Sequence, residues 1–486
     1  MFGIQIKYLS FFFGLISILS FFNIIYSYYL NLYLNLDTYY LSFLFSLAIS
    51  ILFYKIKTPE KKPNIYNKIL TVFLGYILLP FILSIPFYFS IYNLTFLNSF
   101  FESVSGFTST GFTIFENIKH IDQSLILWRS STQWIGGLYF LFSIIFLIDI
   151  YDESFKKTLT NFISFNSSEI LKQTTKIFLL YSSLTLLIFI ILNIFSIRTF
   201  DSLNLAFTII SSGGFLPVND LSNIVKENSQ IIILSLLMLL SFFSIFFSYN
   251  LFFAKNRNIN FFYEDLHLII YLIIVISVFL LFFSFNNDFL SNLLSICSSI
   301  SNIGFSLNSD QPNLILIFLI LVIIGGSFFS TSSGLRFIKI YSLFKYSLNQ
   351  ILSFSKPKNV FMNRLIFTKI NFDFKEINKY FLTILIFIIS FFILSLLLCL
   401  NGIEFETSFK LSILTLMNTV NSSIYGLNEF SKFRLFKLNN DVKINNEMIK
   451  IIIVKKYLFI SLKSKLILEN INLFIKTFLG LLKDKI

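Results

Sequence analysis

The chain has 486 residues, of which 56% are hydrophobic and only 13% charged, with 67 phenylalanines, a mean hydropathy of +0.79 and a formal net charge of +13. Soluble domains carry about 25% charged residues, so a water-soluble enzyme and a secreted disulfide scaffold are both excluded and a polytopic membrane protein is left. The positive charge is not a nucleic-acid signal, because 12 Lys/Arg against 4 Asp/Glu fall in 431–486 and most of the rest lies in a few loops.

A bilayer-crossing helix needs about 20 mostly apolar residues. Reading from charge to charge predicts nine spans, at 8–34, 38–54, 69–92, 127–149, 177–197, 229–253, 267–287, 313–335 and 380–402. The first apolar run has no small-residue cleavage pattern behind it and is read as a retained span. Two spans form an N-terminal pair (1–56). A unit of span, re-entrant segment and span then repeats four times, over 69–151, 174–254, 265–340 and 380–486. The re-entrant segments are FFESVSGFTSTGFTIF (100–115), LAFTIISSGGFLPVND (205–220), CSSISNIGFSLNSD (297–310) and the less regular LMNTVNSSIYGLNEF (416–430).

Basic residues set the orientation. The loops at 55–68, 152–176, 254–264 and 336–379 hold 20 Lys/Arg, whereas the connections carrying the first three re-entrant segments hold Lys119, Arg198 and Lys226. The positive-inside rule puts the former loops and the N-terminus in the cytoplasm. All four segments then enter from the outer face.

Non-helical backbone at membrane depth is tolerated only where it is buried in protein or lines a watery cavity. Four such segments on one axis would present rings of carbonyls able to replace the hydration shell of a monovalent cation. Glycine permits the backbone angles and the close approach this needs, and a short helix ahead of each strand aims its negative C-terminal end at the ion. A single Gly-Phe is equally well explained by close helix packing; the repetition after a span, beside hydroxyl residues, is what argues for a pore.

The motifs SGFTSTGF (105–112), WRSSTQWIGG (128–137), SSGGF (211–215), SNIGF (301–305) and GGSFFSTSSGLRFIKI (325–340) together resemble the TrkH/KtrB potassium transporters, and the two leading helices favour the TrkH branch. The resemblance covers the chain to about residue 430. It implies an all-α integral membrane protein whose four span–loop–span repeats surround a central potassium pore in a bacterial cytoplasmic membrane. It also implies a homodimer and a cytoplasmic ring of TrkA-type nucleotide-binding subunits. The family's filter glycines match Gly111, Gly214 and Gly304, with carbonyls expected from Ser109 and Thr110, Ser212 and Gly213, and Asn302 and Ile303. The family's gating loop falls on Gly325, Gly326, Ser327, Ser330, Thr331, Ser332, Ser333 and Gly334. Eight small residues in the ten from 325 to 334 independently predict a bent segment.

Two places depart from the family pattern. NSSIYGL (421–427) aligns with a pattern that has glycine where Ile424 stands. Either Gly426 takes that role in a shifted register or one quarter of the filter lacks a glycine; Ser422 and Ser423 would be the carbonyl donors. Beyond Phe430 the charges Lys455, Lys456, Lys463, Lys465, Glu469 and Lys476 oppose insertion, each costing about 2.5–3.5 kcal/mol at a helix centre. The arginine that the family carries below its filter in the last helix has no arginine counterpart there, with Lys463 or Lys465 at best a substitute. A degenerate C-terminus, from a shifted reading frame, and an impaired transporter are the expectation for this tail.

Other residues carry less. His120 and His267 have no Cys, His or carboxylate set at ligand spacing, and Cys297 and Cys399 read as small buried hydrophobes. Glu102, inside the first re-entrant helix, is a functional candidate or a local pairing group, and Arg129 is expected to anchor its helix. No phosphate loop or nucleophile elbow is present, so neither a cofactor nor an enzymatic activity is expected. The competing classes are a carrier for a small organic solute, which would show two inverted halves, and a membrane-embedded lipid enzyme, which would need clustered carboxylates or histidines.

Overall fold

Two apolar helices, α1 (Ile6–Tyr29) and α2 (Leu36–Lys55), open the chain and pack as a hairpin. Hydroxyls close their seam: Ser20 Oγ lies 2.9 Å from Ser42 Oγ, and Ser50 donates to the Ser10 carbonyl at 2.9 Å. Small polar side chains are the usual glue where apolar burial gives no preference between helix and lipid. The structure, a computed structural model, describes residues 6–56, 65–115, 117–147, 170–253, 263–283, 289–307, 314–353, 374–420 and 423–427.

Four units follow. The first contains α3 (Ile65–Leu83), the turn α4 (Ile85–Tyr88), the short helix α5 (Phe96–Phe107) and α6 (Gln123–Phe146). The second contains α7 (Ile170–Ile194), the short helix α8 (Thr199–Ser211), then α9 (Asn228–Phe242) and α10 (Ile245–Phe253). The third contains α11 (Tyr263–Phe283), the short helix α12 (Phe289–Ile300), α13 (Ile315–Ile323) and α14 (Phe337–Ser353). Of the fourth, α15 (Phe374–Leu400) and the short helix α16 (Phe405–Leu416) are described; the chain from 428 onward, including the tail singled out in the sequence, lies outside the described residues.

Each of the nine predicted spans contains helix, and five helices are long and apolar enough to cross a membrane by length and composition: 6–29, 36–55, 65–88, 174–194 and 377–400. Between units the packing repeats. α6 leans on α8, α9 on α12, and α13 on α16, so the later span of one unit buttresses the short helix of the next. That succession brings the short helices around a common centre.

α6 is deeply buried. Every residue from Ser124 to Phe146 is buried, and small residues let its neighbours come close. A Cβ on Gly136 would collide with the Phe107 carbonyl and one on Gly137 would sit 2.9 Å from Ser211 Cβ. Two spans read as continuous in the sequence are interrupted. The 229–253 span breaks at Phe243–Ser244, where Phe243 is extended (ψ 163°). The 313–335 span stops at Ile323, and its chain resumes as helix only at Phe337 after a two-residue parallel pairing, Ile324 with Leu335 and Gly325 with Arg336.

Candidate ion pathway

All four short helices end in the same way. Ser109, Ser212, Asn302 and Asn418 take left-handed φ values of 57°, 54°, 61° and 47°, a conformation that short polar side chains tolerate best after glycine. The following N–H reaches back to the helix: Thr110 to the Ser105 carbonyl at 2.9 Å, Gly213 to Thr208 at 2.7 Å, Ile303 to Ser298 at 3.0 Å and Thr419 to Leu414 at 2.9 Å. This is the helix-terminating bond that satisfies an orphan carbonyl and turns the chain sharply. The third residue of each turn is Gly111 (φ 80°), Gly214 (φ 145°), Gly304 (φ 83°) and, in the fourth unit, Val420.

The register of the fourth unit therefore differs from the sequence alignment. Asn418–Thr419–Val420 stands where Ser109–Thr110–Gly111 stands in the first unit, four residues ahead of the expected Ser422–Ser423–Ile424. Ser423 begins a 3-10 turn (Ser423–Tyr425) beyond the strand, and Ser422 lies outside the described residues. Gly426 has Ile315 and Lys410 as the neighbours of its Cβ position, where the other three glycines have Val420. The physical reason is that the turn is specified by a polar residue in left-handed conformation at the helix end, which Asn418 provides without any glycine.

The four turns meet. Thr110 Oγ1 donates to Asn418 Oδ1 at 3.3 Å, Asn302 Nδ2 donates to Thr419 Oγ1 at 3.2 Å, and the Ser212 hydroxyl donates to the Ser301 carbonyl. At the glycine level the three strands surround Val420. A Cβ on Gly111 would lie 3.0 Å from Val420 Cβ and 3.2 Å from Gly214 Cα; one on Gly214 would lie 2.8 Å from Val420 Cβ; one on Gly304 would lie 2.5 Å from Val420 Cγ1. Two oxygens of the ring, Ser109 Oγ and Asn302 Oδ1, are buried without a hydrogen-bond partner.

Side chains from α5 and α6 brace the first two strands. Glu102, fully buried, accepts from Arg129 Nε at 2.8 Å, from Thr113 Oγ1 at 2.9 Å and from the Ile114 N–H at 2.9 Å. Arg129 Nη2 also donates to Thr113 Oγ1 at 2.9 Å, and its guanidinium lies 4.3 Å from the Phe215 ring centre. Glu102 and Arg129 are thus partners, and the sequence treated them separately. Gln133 Oε1 accepts from the Phe215 N–H at 3.4 Å and packs where a Cβ on Gly213 would be.

The small-residue loop lies against the ends of two short helices. Thr331 Oγ1 donates to the Ile210 carbonyl at 2.7 Å and the Ser333 hydroxyl donates to the Met417 carbonyl, so the loop touches the closing turns of α8 and α16. It also grips the broken end of α9: Ser327 N–H bonds the Phe242 carbonyl at 3.0 Å and Ser332 N–H the Ser241 carbonyl at 3.1 Å. Gly326 N–H reaches Ser332 Oγ at 3.2 Å, Ser330 Oγ lies 3.0 Å from Ser332 Oγ, and Gly325 and Gly334 pass so close that a Cβ on Gly334 would sit 2.7 Å from Gly325 Cα.

Three charged residues that sequence reading did not single out hold this loop and the break in α9 beside it. Arg336 Nη1 donates to the Ser327 carbonyl at 2.9 Å, Ser330 Oγ at 3.0 Å and the Ser332 carbonyl at 3.1 Å. Glu264 accepts from the Phe328 N–H at 2.8 Å, and Asp265 accepts from the Ser244 N–H at 2.8 Å where α9 breaks. An arginine directly after Ser-Gly-Leu, at the first position past the predicted 313–335 span, was the available signal for the first; the acidic pair sits at a span end where charge is unremarkable. Among the described residues no group of three or more His, Cys, Asp or Glu is placed to hold a metal ion.

No protein-family model matches the chain. An uncharacterized cation transporter of Methanocaldococcus jannaschii is 24% identical over 409 residues, covering 80% of this chain and 82% of that protein. The Trk system potassium uptake protein TrkH of Salmonella typhimurium is 24% identical over 346 residues, covering 67% and 71% respectively. In three dimensions the chain is similar to the crystal structure of the potassium transporter TrkH from Vibrio parahaemolyticus, with a TM-score of 0.78 at 18% identity, covering 96% of this chain and 98% of that one. The resemblance to TrkH/KtrB proteins drawn from the motifs is borne out by these relatives and this fold.

Proposed function

We propose that the chain is a potassium uptake protein of a bacterial cytoplasmic membrane, its pathway running through the ring at Gly111, Gly214, Gly304 and Val420 and its gate formed by the 325–334 loop. The similarity to proteins named for potassium uptake supplies the ion. The observation that carries the reading is the ring itself: four short helices end in one motif, and their turns are hydrogen-bonded into one cluster. Burying an oxygen without a partner costs about 1–3 kcal/mol, and the unpartnered Ser109 and Asn302 oxygens are what a site that exchanges protein contacts for a cation or its water would retain.

Short-helix carbonyls supply the electrostatics. The C-terminal end of each helix carries a partial negative charge that favours a cation, and each helix here runs directly into its strand. The Thr331 and Ser333 hydroxyls neutralise two of those ends from below, so the loop in this position competes with an ion for the same carbonyls. Withdrawing the loop would free them, which is the physical basis for assigning it the gate. The basic loops support a cytoplasmic N-terminus, and the family resemblance is the ground for expecting a homodimer and TrkA-type partners on that face.

The test is potassium flux into liposomes holding the purified full chain, with sodium and caesium as competitors. Potassium-selective influx supports the reading. Sodium entering as readily as potassium refutes the selectivity assigned to the ring.

A further inference from the structure

We propose that Val420 is a hydrophobic plug in the ring and sets how fast this chain conducts, an inference that rests on the potassium-pathway reading above. The argument starts from distances. A Cβ lies about 1.5 Å from its Cα, so contacts of 3.0, 2.8 and 2.5 Å from the Cβ positions of Gly111, Gly214 and Gly304 hold their Cα atoms no more than about 4.5 Å from side-chain carbons of Val420. Carbon atoms at about 3.5–4.0 Å are in van der Waals contact. The isopropyl group therefore packs against three glycine backbones, and at that level a cation would meet methyl groups beside the Ile303 and Val420 carbonyls.

The backbone points the same way. At the equivalent position the glycines take φ of 80°, 145° and 83°, whereas Val420 stays outside the left-handed region, where a β-branched residue would be an outlier. Its strand cannot copy the other three, and its carbonyl instead lies 2.9 Å from the Cβ position of Gly304. Asn418 and Thr419, which precede it, are both buried and both hydrogen-bonded to neighbouring turns, and so hold this strand in place. An apolar constriction of this kind excludes ions by keeping water out, the way hydrophobic gates do. Val420 is half-buried, so part of its side chain remains accessible.

The experiment compares influx of radioactive rubidium, a potassium stand-in, into liposomes holding the wild-type full chain, Val420→Gly, Val420→Ala and Val420→Ile. Melting temperature and elution profile establish which variants are folded. The plug predicts influx rising by about tenfold or more in Val420→Gly, a smaller rise in Val420→Ala, and none in Val420→Ile. Folded Val420→Gly and Val420→Ala proteins that conduct within twofold of wild type, at whatever level, overturn it. The two readings separate on the competitor. A Val420→Gly protein whose faster influx is blocked equally by sodium and potassium keeps the plug and refutes the potassium filter; wild type already conducting potassium selectively at the variant's rate does the reverse.

Discussion

Removing the charge of Glu102 should destabilise the protein far more than its single position suggests. In Glu102→Gln one carboxylate oxygen becomes an NH2 group facing either Arg129 Nε or the Ile114 N–H, two donors that now sit 2.8 and 2.9 Å from oxygen. At least one charge-assisted hydrogen bond, worth about 1.5–3 kcal/mol, is lost. Arg129, 1% exposed and with Nη1 already lacking a partner, is then a buried cation without its counter-charge. Breaking a buried pair from one side costs about 3–5 kcal/mol, and that is the expected loss in denaturant unfolding of the full chain. A double-mutant cycle sharpens the claim: Glu102→Leu combined with Arg129→Leu should cost less than the sum of the singles by about 2 kcal/mol. A loss below about 1 kcal/mol in Glu102→Gln, the range of exposed pairs, or strict additivity in the cycle, would show that water screens the pair and that it does not brace the first strand.

Two further substitutions probe the ring and the loop. Gly111→Ser places a Cβ 3.0 Å from Val420 Cβ at a φ of 80°; competition flux should show weaker preference for potassium over sodium, with about 1–3 kcal/mol lost in stability, and unchanged preference removes Gly111 from the filter. Arg336→Ala strips three hydrogen bonds from the loop, each about 1.5–3 kcal/mol when one partner is charged. Backbone hydrogen exchange over 326–333 should accelerate while the α1–α2 hairpin keeps its protection; a loop that exchanges as slowly as before refutes the latch.

The spans were legible because hydropathy and length alone decide what can cross a bilayer, and three of the four turns because Gly111, Gly214 and Gly304 each stand beside a phenylalanine. The fourth was missed for an instructive reason. Aligning on glycine led to Ile424 and Gly426, yet the shared feature of all four turns is the polar residue two places earlier, and Asn418 before Thr419 matches Asn302 before Ile303. The break in the second unit's later span left no trace, since FFSIFF at 242–247 contains neither proline nor glycine. The freed Ser244 N–H is satisfied by Asp265, and the Ile245 N–H by the Phe329 carbonyl at 3.1 Å. A helix can stop wherever another part of the fold supplies the acceptors, and such acceptors are invisible in a local window. The same holds for Glu102 and Arg129, separated by 27 residues and joined only by the packing of α5 on α6.

The burial of α6 bears on how the protein is made. As a lone helix in lipid, α6 would expose Arg129 together with Ser130, Ser131, Thr132 and Gln133, and an arginine costs up to about 2.5–3.5 kcal/mol, the value at a helix centre. Its counter-charge, Glu102, lies earlier in the chain and leaves the ribosome first. α5 and α6 are therefore expected to partition into the membrane as a pair, the carboxylate waiting for the guanidinium. Biogenesis of the first unit then depends on a polar contact that only the finished fold reveals.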